Sequence, residues 1–241
     1  MEISDLKCVG YHGKIPALGD FVTKRLPSCL TEKWDNWLQN CISFSKQEIS
    51  HQWNSTYMVA PIIRFYLQKG VINELGWYGI MLPSVDKVGR YFPFTIFISL
   101  EENFSEVDLI VNNNKWFEQF ELLALELLVP SIKFDIWDKK LLNYPKLSLI
   151  KSETDDQTIP LIPKNSETAI CYSFSNREVM KSHLSQYSSI FPPSHSFWWH
   201  ANLNGENISE VLISTGLPNF KYFPKLIGDV NKDWGWIRKE Y

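Results

Sequence analysis

Residues 94–100, FTIFISL, are apolar at almost every position, and a run of that kind is a strand only where both of its faces are covered. Residues 77–82, WYGIML, read in the same way. Strands buried on both sides need a layer above and a layer below, and the chain supplies helices to make them. Over residues 114–129, Trp116, Phe117, Phe120, Leu123, Ala124, Leu127 and Leu128 form one apolar stripe at helical spacing, ended by Pro130. From Thr31, the residues Trp34, Trp37, Leu38, Cys41 and Ile42 recur at steps of three and four, which predicts a helix of about four to five turns with Thr31 or Ser28 as N-cap. Further strands are predicted near residues 7–11, 168–174, 196–200 and 211–214. Helices are predicted over residues 177–187, capped by Asn176, and from Pro218 to about 227. This alternation predicts an α/β fold, a layered α/β/α sandwich with a mixed β-sheet.

Glycine and proline punctuate the rest. Residues 11–21 and 83–93 read as loops, and residues 202–207 as the turn of a hairpin. Residues 57–67 are strand-like, but Pro61 in their middle implies an edge strand, a bulge or a break. Residues at about 140–167 carry Pro145, Pro160 and Pro163 among polar side chains and read as a surface insertion within a single domain spanning residues 1–241.

With a net charge of −3 and no long Lys/Arg run, the chain has no electrostatic footprint for nucleic acid. It lacks a signal-peptide start and a run of about 18 apolar residues, so cytoplasmic location without membrane insertion is expected. Cys8, Cys29, Cys41 and Cys171 lie too far apart for a zinc site and read as reduced, mostly buried thiols. The stretch Gly13-Lys14-Ile15-Pro16 lacks the pattern of a phosphate-binding loop, and Pro16 removes a backbone donor that such a loop would use. His12, His51, His183, His195 and His200 show no metal-ligand spacing, and no nucleophile elbow is present. No metal, cofactor or catalytic residue is therefore expected, and a binding role leads. The aromatic share of 15%, from ten Trp, ten Tyr and fifteen Phe, suits both a large core and contact surfaces.

Three segments are more specific than any of these motifs. They are residues 10–21 (GYHGKIPALGDF), 81–93 (MLPSVDKVGRYFP) and 196–199 (SFWW). Together they resemble the TagF family of type VI secretion-associated proteins, with supporting matches at Trp34-Asp35-x-Trp37-Leu38, Pro61-x-x-Arg64-Phe65 and Gly216-Leu217-Pro218. The resemblance implies a non-catalytic accessory or regulatory protein that acts post-translationally, as a repressor of assembly or an accessory factor for it, through the forkhead-associated scaffold protein of the secretion system. Some relatives are fused to, or act beside, a PP2C-type phosphatase, and baseplate or membrane-complex subunits are further partner candidates. A chain ending at residue 241 leaves no room for a fused phosphatase, so that activity is not carried over. After the double Trp, relatives often continue with an acidic or Thr-Asp-like residue where this chain has His200-Ala201, so no ligand set is carried over there.

The partner-binding candidates are Lys14, Asp20, Phe21, Asp86, Arg90, Trp198 and Trp199, with Gly13, Gly19 and Gly89 as turn residues. Asp86 and Arg90, four apart between two prolines, either pin their loop as an ion pair or present charge to a partner. Trp198 and Trp199, adjacent in a strand, face opposite ways, and the ring not in the core is the preferred contact. The competing reading is an enzyme or small-ligand sensor that gathers Asp20, Asp86, Arg90 and a histidine into one charged pocket.

Overall fold

The computed structural model describes residues 9–100, 105–145, 147, 169–187, 194–200, 210–228 and 237–240. Among the described residues nine strands form one mixed sheet: β1 (Gly10–Gly13), β2 (Val22–Lys24), β3 (Ile63–Leu67), β4 (Gly76–Leu82), β5 (Phe94–Leu100), β6 (Ala169–Ser173), β7 (His195–Trp199), β8 (Glu210–Thr215) and β9 (Ile237–Glu240). Their order is β2-β1-β5-β4-β3-β7-β8-β6-β9, with every pair antiparallel except β6 and β9. The first five strands in chain order make one half of the sheet. The halves join where β3 pairs β7, with Arg64 opposite Trp199 and Phe65 opposite Trp198.

Alternation along the central strands sends side chains into two separate cores. On one side, Ile63, Phe65, Leu67, Trp77, Met81, Phe97, Trp198 and Leu212 meet α1 (Ser28–Ile49), α2 (Trp53–Met58) and α7 (Phe223–Leu226). On the other, Tyr66, Tyr78, Ile80, Ile96, Phe197 and Trp199 meet α3 (Glu106–Asn112), α4 (Asn114–Leu125), α5 (Phe134–Leu142) and α6 (Arg177–Tyr187). This is the expected α/β/α sandwich. The first core centres on Trp34, whose ring lies 4.9 Å from Trp37, 5.2 Å from Phe65, 4.9 Å from Phe97 and 5.9 Å from Trp198. Its indole N–H donates to the buried Thr95 hydroxyl at 3.1 Å, so even the polar end of this ring is satisfied.

Several expected boundaries move for identifiable reasons. Helix α1 begins at Ser28, earlier than the Thr31 pattern suggests. Pro27 rather than Ser28 or Thr31 is its N-cap, and the Pro27 carbonyl accepts from Leu30 and Thr31. Residues 57 and 58, expected in a strand, close α2 instead, and β3 begins only after Pro61, the break that proline allows. The loop expected over residues 11–21 starts later, because Tyr11 and His12 pair with both β2 and β5 and Gly13 pairs with β2. Asn176 caps α6 as expected, its side chain accepting from the Val179 N–H at 3.0 Å. The stripe over residues 114–129 is helix α4 followed by a 3-10 turn at Glu126–Leu128. Cys41 and Cys171 are buried, but Cys29 is exposed. Cys8, the 202–207 turn and most of the 140–167 insertion lie outside the described residues.

Trp198 and Trp199 face opposite ways, but both faces are covered and the residues are 1% and 2% exposed. Neither ring is left over for a partner, which corrects the expectation of a contact ring here. Trp198→Ala and Trp199→Ala are each expected to cost about 3–5 kcal/mol in urea unfolding at neutral pH, the range for truncating a buried aromatic.

Candidate functional site

The two Gly/Pro-rich loops meet at one end of the sheet. The first leaves β1 through Gly13, whose φ of +144° and whose ideal Cβ position, 2.2 Å from the Pro93 carbonyl oxygen, leave room for glycine alone. Lys14 and Ile15 follow, both buried, and the chain then turns outward through exposed Leu18, Gly19, Asp20 and Phe21 before β2. The second loop, residues 83–93, narrows on itself: the Phe92 N–H donates to the Ser84 carbonyl, and the Gly89 N–H to that of Asp86. Gly89, at φ +83°, completes its tip. The loops are sewn together by the Lys87 N–H, which donates to the Leu18 carbonyl at 2.9 Å.

Asp86 holds the junction. Its residue is 2% exposed. One carboxylate oxygen accepts from the backbone N–H groups of Val88 (3.1 Å) and Arg90 (2.8 Å). The other accepts from Lys14 Nζ at 3.0 Å and Arg90 Nε at 2.6 Å. Arg90 also donates through Nη2 to the Gly19 carbonyl in the first loop. Burial works to raise the Asp86 pKa, but the Arg90 backbone donor, the Lys14 and Arg90 side chains and the Val88 N–H outweigh it. The carboxyl is held well below the ordinary aspartate range. Of the two readings open for Asp86 and Arg90, the ion pair that pins the loop is the one the structure contains.

The outward face of this junction is different in character. Lys14 Nζ lies 4.9 Å from the Phe21 ring centre, and Phe21 stacks on His12 at 5.4 Å and meets Phe92 edge-on at 4.8 Å. His12 is fixed by Thr23 Oγ1 at 2.7 Å, and Asp35 stands 3.6 Å from its Nε2. Burial pushes the His12 pKa down while Asp35 opposes it, and burial wins. Leu18 (38% exposed), Phe21 (41%) and Val88 (70%) present apolar surface on this clamped frame, beside the solvent-facing side of Arg90. We refer to it as the knob.

The structure thus brings Lys14, Phe21, Asp86 and Arg90 together, with Asp20 at the rim, where its carboxylate accepts from the Phe21 N–H. It does not bring Trp198 and Trp199 to this surface. Gly19 adopts no left-handed conformation and has open space at its Cβ, so unlike Gly13 and Gly89 it is not required by the backbone. The proposed charged pocket is not formed as such, because Asp86 is neutralised by Lys14 and Arg90. The recess at the root of the second loop is apolar, lined by Tyr57, Ala60, Pro61, Pro83, Pro93 and Phe223 among others. His195 contacts Glu106 at 3.0 Å, and among the described residues no three His, Cys, Asp or Glu side chains gather as metal ligands. No helix among them is long and apolar enough to cross a membrane.

The pairings in two polar clusters escaped the sequence reading. Asp138 on α5 is clamped between Lys24 and Arg25 in the same manner as Asp86, tying β2 to a helix more than a hundred residues away in sequence. Arg64, fully buried in β3, pairs with Glu121 and donates through Nη1 to Asn114 Oδ1 at 2.5 Å. Arg64 stands in the Pro61-x-x-Arg64-Phe65 match and is the only charge inside its strand, but neither signal points to Glu121 or Asn114 as its partners.

The profile of the TagF N-terminal domain, described as type VI secretion system-associated, matches residues 10–144, more than half of the chain. The chain belongs to the TagF family. The matched residues contain both knob loops, so Lys14, Asp86 and Arg90 lie within the family domain, while β6 to β9 lie beyond it. Among solved structures, the crystal structure of PA0076 from Pseudomonas aeruginosa PAO1 is similar at 25% identity and a TM-score of 0.71, covering 93% of this chain and 96% of that one. No curated protein matches the chain in sequence.

In this TagF protein, Asp86→Asn leaves two cations facing a neutral amide and is expected to cost about 3 kcal/mol at pH 7 by urea unfolding. The lowered pKa sets the pH dependence: the ionised Asp86 stabilises fully above its unfolded value near 3.8, and that contribution is lost as pH falls toward the folded value. The gap between wild type and Asp86→Asn should therefore be constant from pH 7 to pH 5 and shrink below pH 4.

Proposed function

We propose that this type VI secretion-associated protein is a non-catalytic regulator that acts after translation in the cytoplasm, holding assembly back by binding the forkhead-associated scaffold protein of the system. Family membership supports the secretion role. The knob supports the binding role and is the observation that carries it: three exposed apolar side chains sit on loops clamped by a buried carboxylate, so they are presented without the ordering cost of a free loop. Exposed apolar groups ringed by polar ones are the usual mark of a protein contact. The charged motif residues act on one another, and this supports binding over catalysis. A PP2C-type phosphatase and baseplate or membrane-complex subunits are further candidates for the same surface.

The direct measurement is titration of the purified scaffold protein with wild type, Phe21→Ala and Val88→Asp. Both variants should keep the wild-type unfolding midpoint to within a few degrees and bind about tenfold or more weakly, as truncation at an interface centre does. Wild-type protein that fails to bind would overturn the partner. Equal affinity in all three would overturn the site and leave the partner standing.

A further inference from the structure

The ion pair with Asp86 does not use up Arg90. A guanidinium carries five N–H donors in a planar fork and no acceptor. Arg90 spends one donor through Nε on Asp86 and one through Nη2 on the Gly19 carbonyl, and among the described residues it has no further partner. Its side chain is 57% exposed, so the unspent donors lie on the solvent side of a group already fixed at two points. Apolar surface adjoins both anchors. Leu18 precedes Gly19 in the first loop, and Val88 gives its N–H to the same Asp86 carboxylate in the second.

We infer that the outer edge of Arg90 receives a carboxylate side chain, Asp or Glu, that stands beside an apolar residue on the partner's surface. This rests on the binding reading of the knob and adds the chemistry of the group that meets it. The donors make the selection. An exposed edge with donors alone requires an acceptor, and the two oxygens of a carboxylate match the planar fork with charge assistance. No carboxylate of the knob already fills that role: Asp86 lies inside, against Lys14 as well as Arg90. Asp35 faces His12 and accepts from Gln39, and Asp20 takes the Phe21 N–H without pairing with a cation. Lys87, also exposed, adds a second positive charge beside the fork. A phosphorylated side chain is the less fitting occupant, because such groups are held by clusters of arginines and these two loops present Arg90 alone.

The probe comes from a displayed library of random peptides of about 12 residues, selected on the full chain and depleted on the double variant Phe21→Ala with Val88→Asp. Surviving peptides should carry Asp or Glu next to an aliphatic or aromatic residue. Fluorescence anisotropy should show about a tenfold loss of affinity when that acid is replaced by its amide, and the same loss with Arg90→Lys, which keeps the charge but not the fork. Asp20→Asn should tighten the acidic peptide about threefold and Lys87→Glu should weaken it about threefold, with the amide peptide unmoved by either. Both of these side chains stand outside the Asp86 clamp, so this pair of variants decides the matter if Arg90→Lys lowers the unfolding midpoint. The assignment is overturned if no peptide survives depletion, if the survivors lack acidic residues, or if acid and amide peptides bind equally. It is also overturned if a folded Arg90→Lys keeps the preference, or if phosphoserine in place of the acid binds tighter. Acidic peptides that bind while the scaffold protein does not would remove that partner and leave this assignment standing; scaffold binding with acid-indifferent peptides would do the reverse.

Discussion

Everything in this fold follows from central strands that bury both faces. β3, β4, β5 and β7 carry large side chains up and down in alternation, so the sheet is insoluble unless helices cover each side. The two cores that result are largely aromatic, and each ring has a defined neighbour rather than a generic apolar surrounding. Such packing tolerates little loss of volume. It also explains why adjacent tryptophans at 198 and 199, a conspicuous pair in the sequence, both belong to the interior: each fills a different core.

That same constraint made the architecture legible. Continuous apolar runs at 77–82 and 94–100 demanded cover, and the stripes at 34–42 and 114–129 supplied it. The elements that escaped are those whose pattern is short or diluted by polar residues. α3 spans seven residues and α5 mixes Asp and Lys into its stripe, so neither shows a clear period on its own. β2 has three residues and makes sense only beside β1. Local pattern cannot see a strand defined by its neighbour.

The site was legible in kind but not in detail. Asp86 and Arg90 at a four-residue spacing left an ion pair and a presented charge equally open, and the ion pair is what forms; Gly13 read as a turn residue, and the Pro93 carbonyl is what requires it. Lys14 was visible as a motif residue, but its pairing with Asp86 joins positions 72 apart, a separation that no spacing rule reaches. Asp138 with Lys24 and Arg25 is hidden for the same reason. Residues whose roles are fixed by tertiary contact leave no periodic trace.

Asp86 and Asp138 share one design. In each, the carboxylate is buried and one of its two cations is more than half exposed, Arg90 at 57% and Lys24 at 52% of the side chain. The anion fixes the loop or strand in place, and the cation carries the net field outward. In both clusters positive charge is held on a frame fixed by several hydrogen bonds, an arrangement that lowers the entropy cost of using a long charged side chain for electrostatic attraction. At the knob this held charge stands next to apolar Phe21, Leu18 and Val88, and the pairing of a rigid apolar tip with a fixed guanidinium is what separates this surface from the scattered single hydrophobic residues found on most proteins.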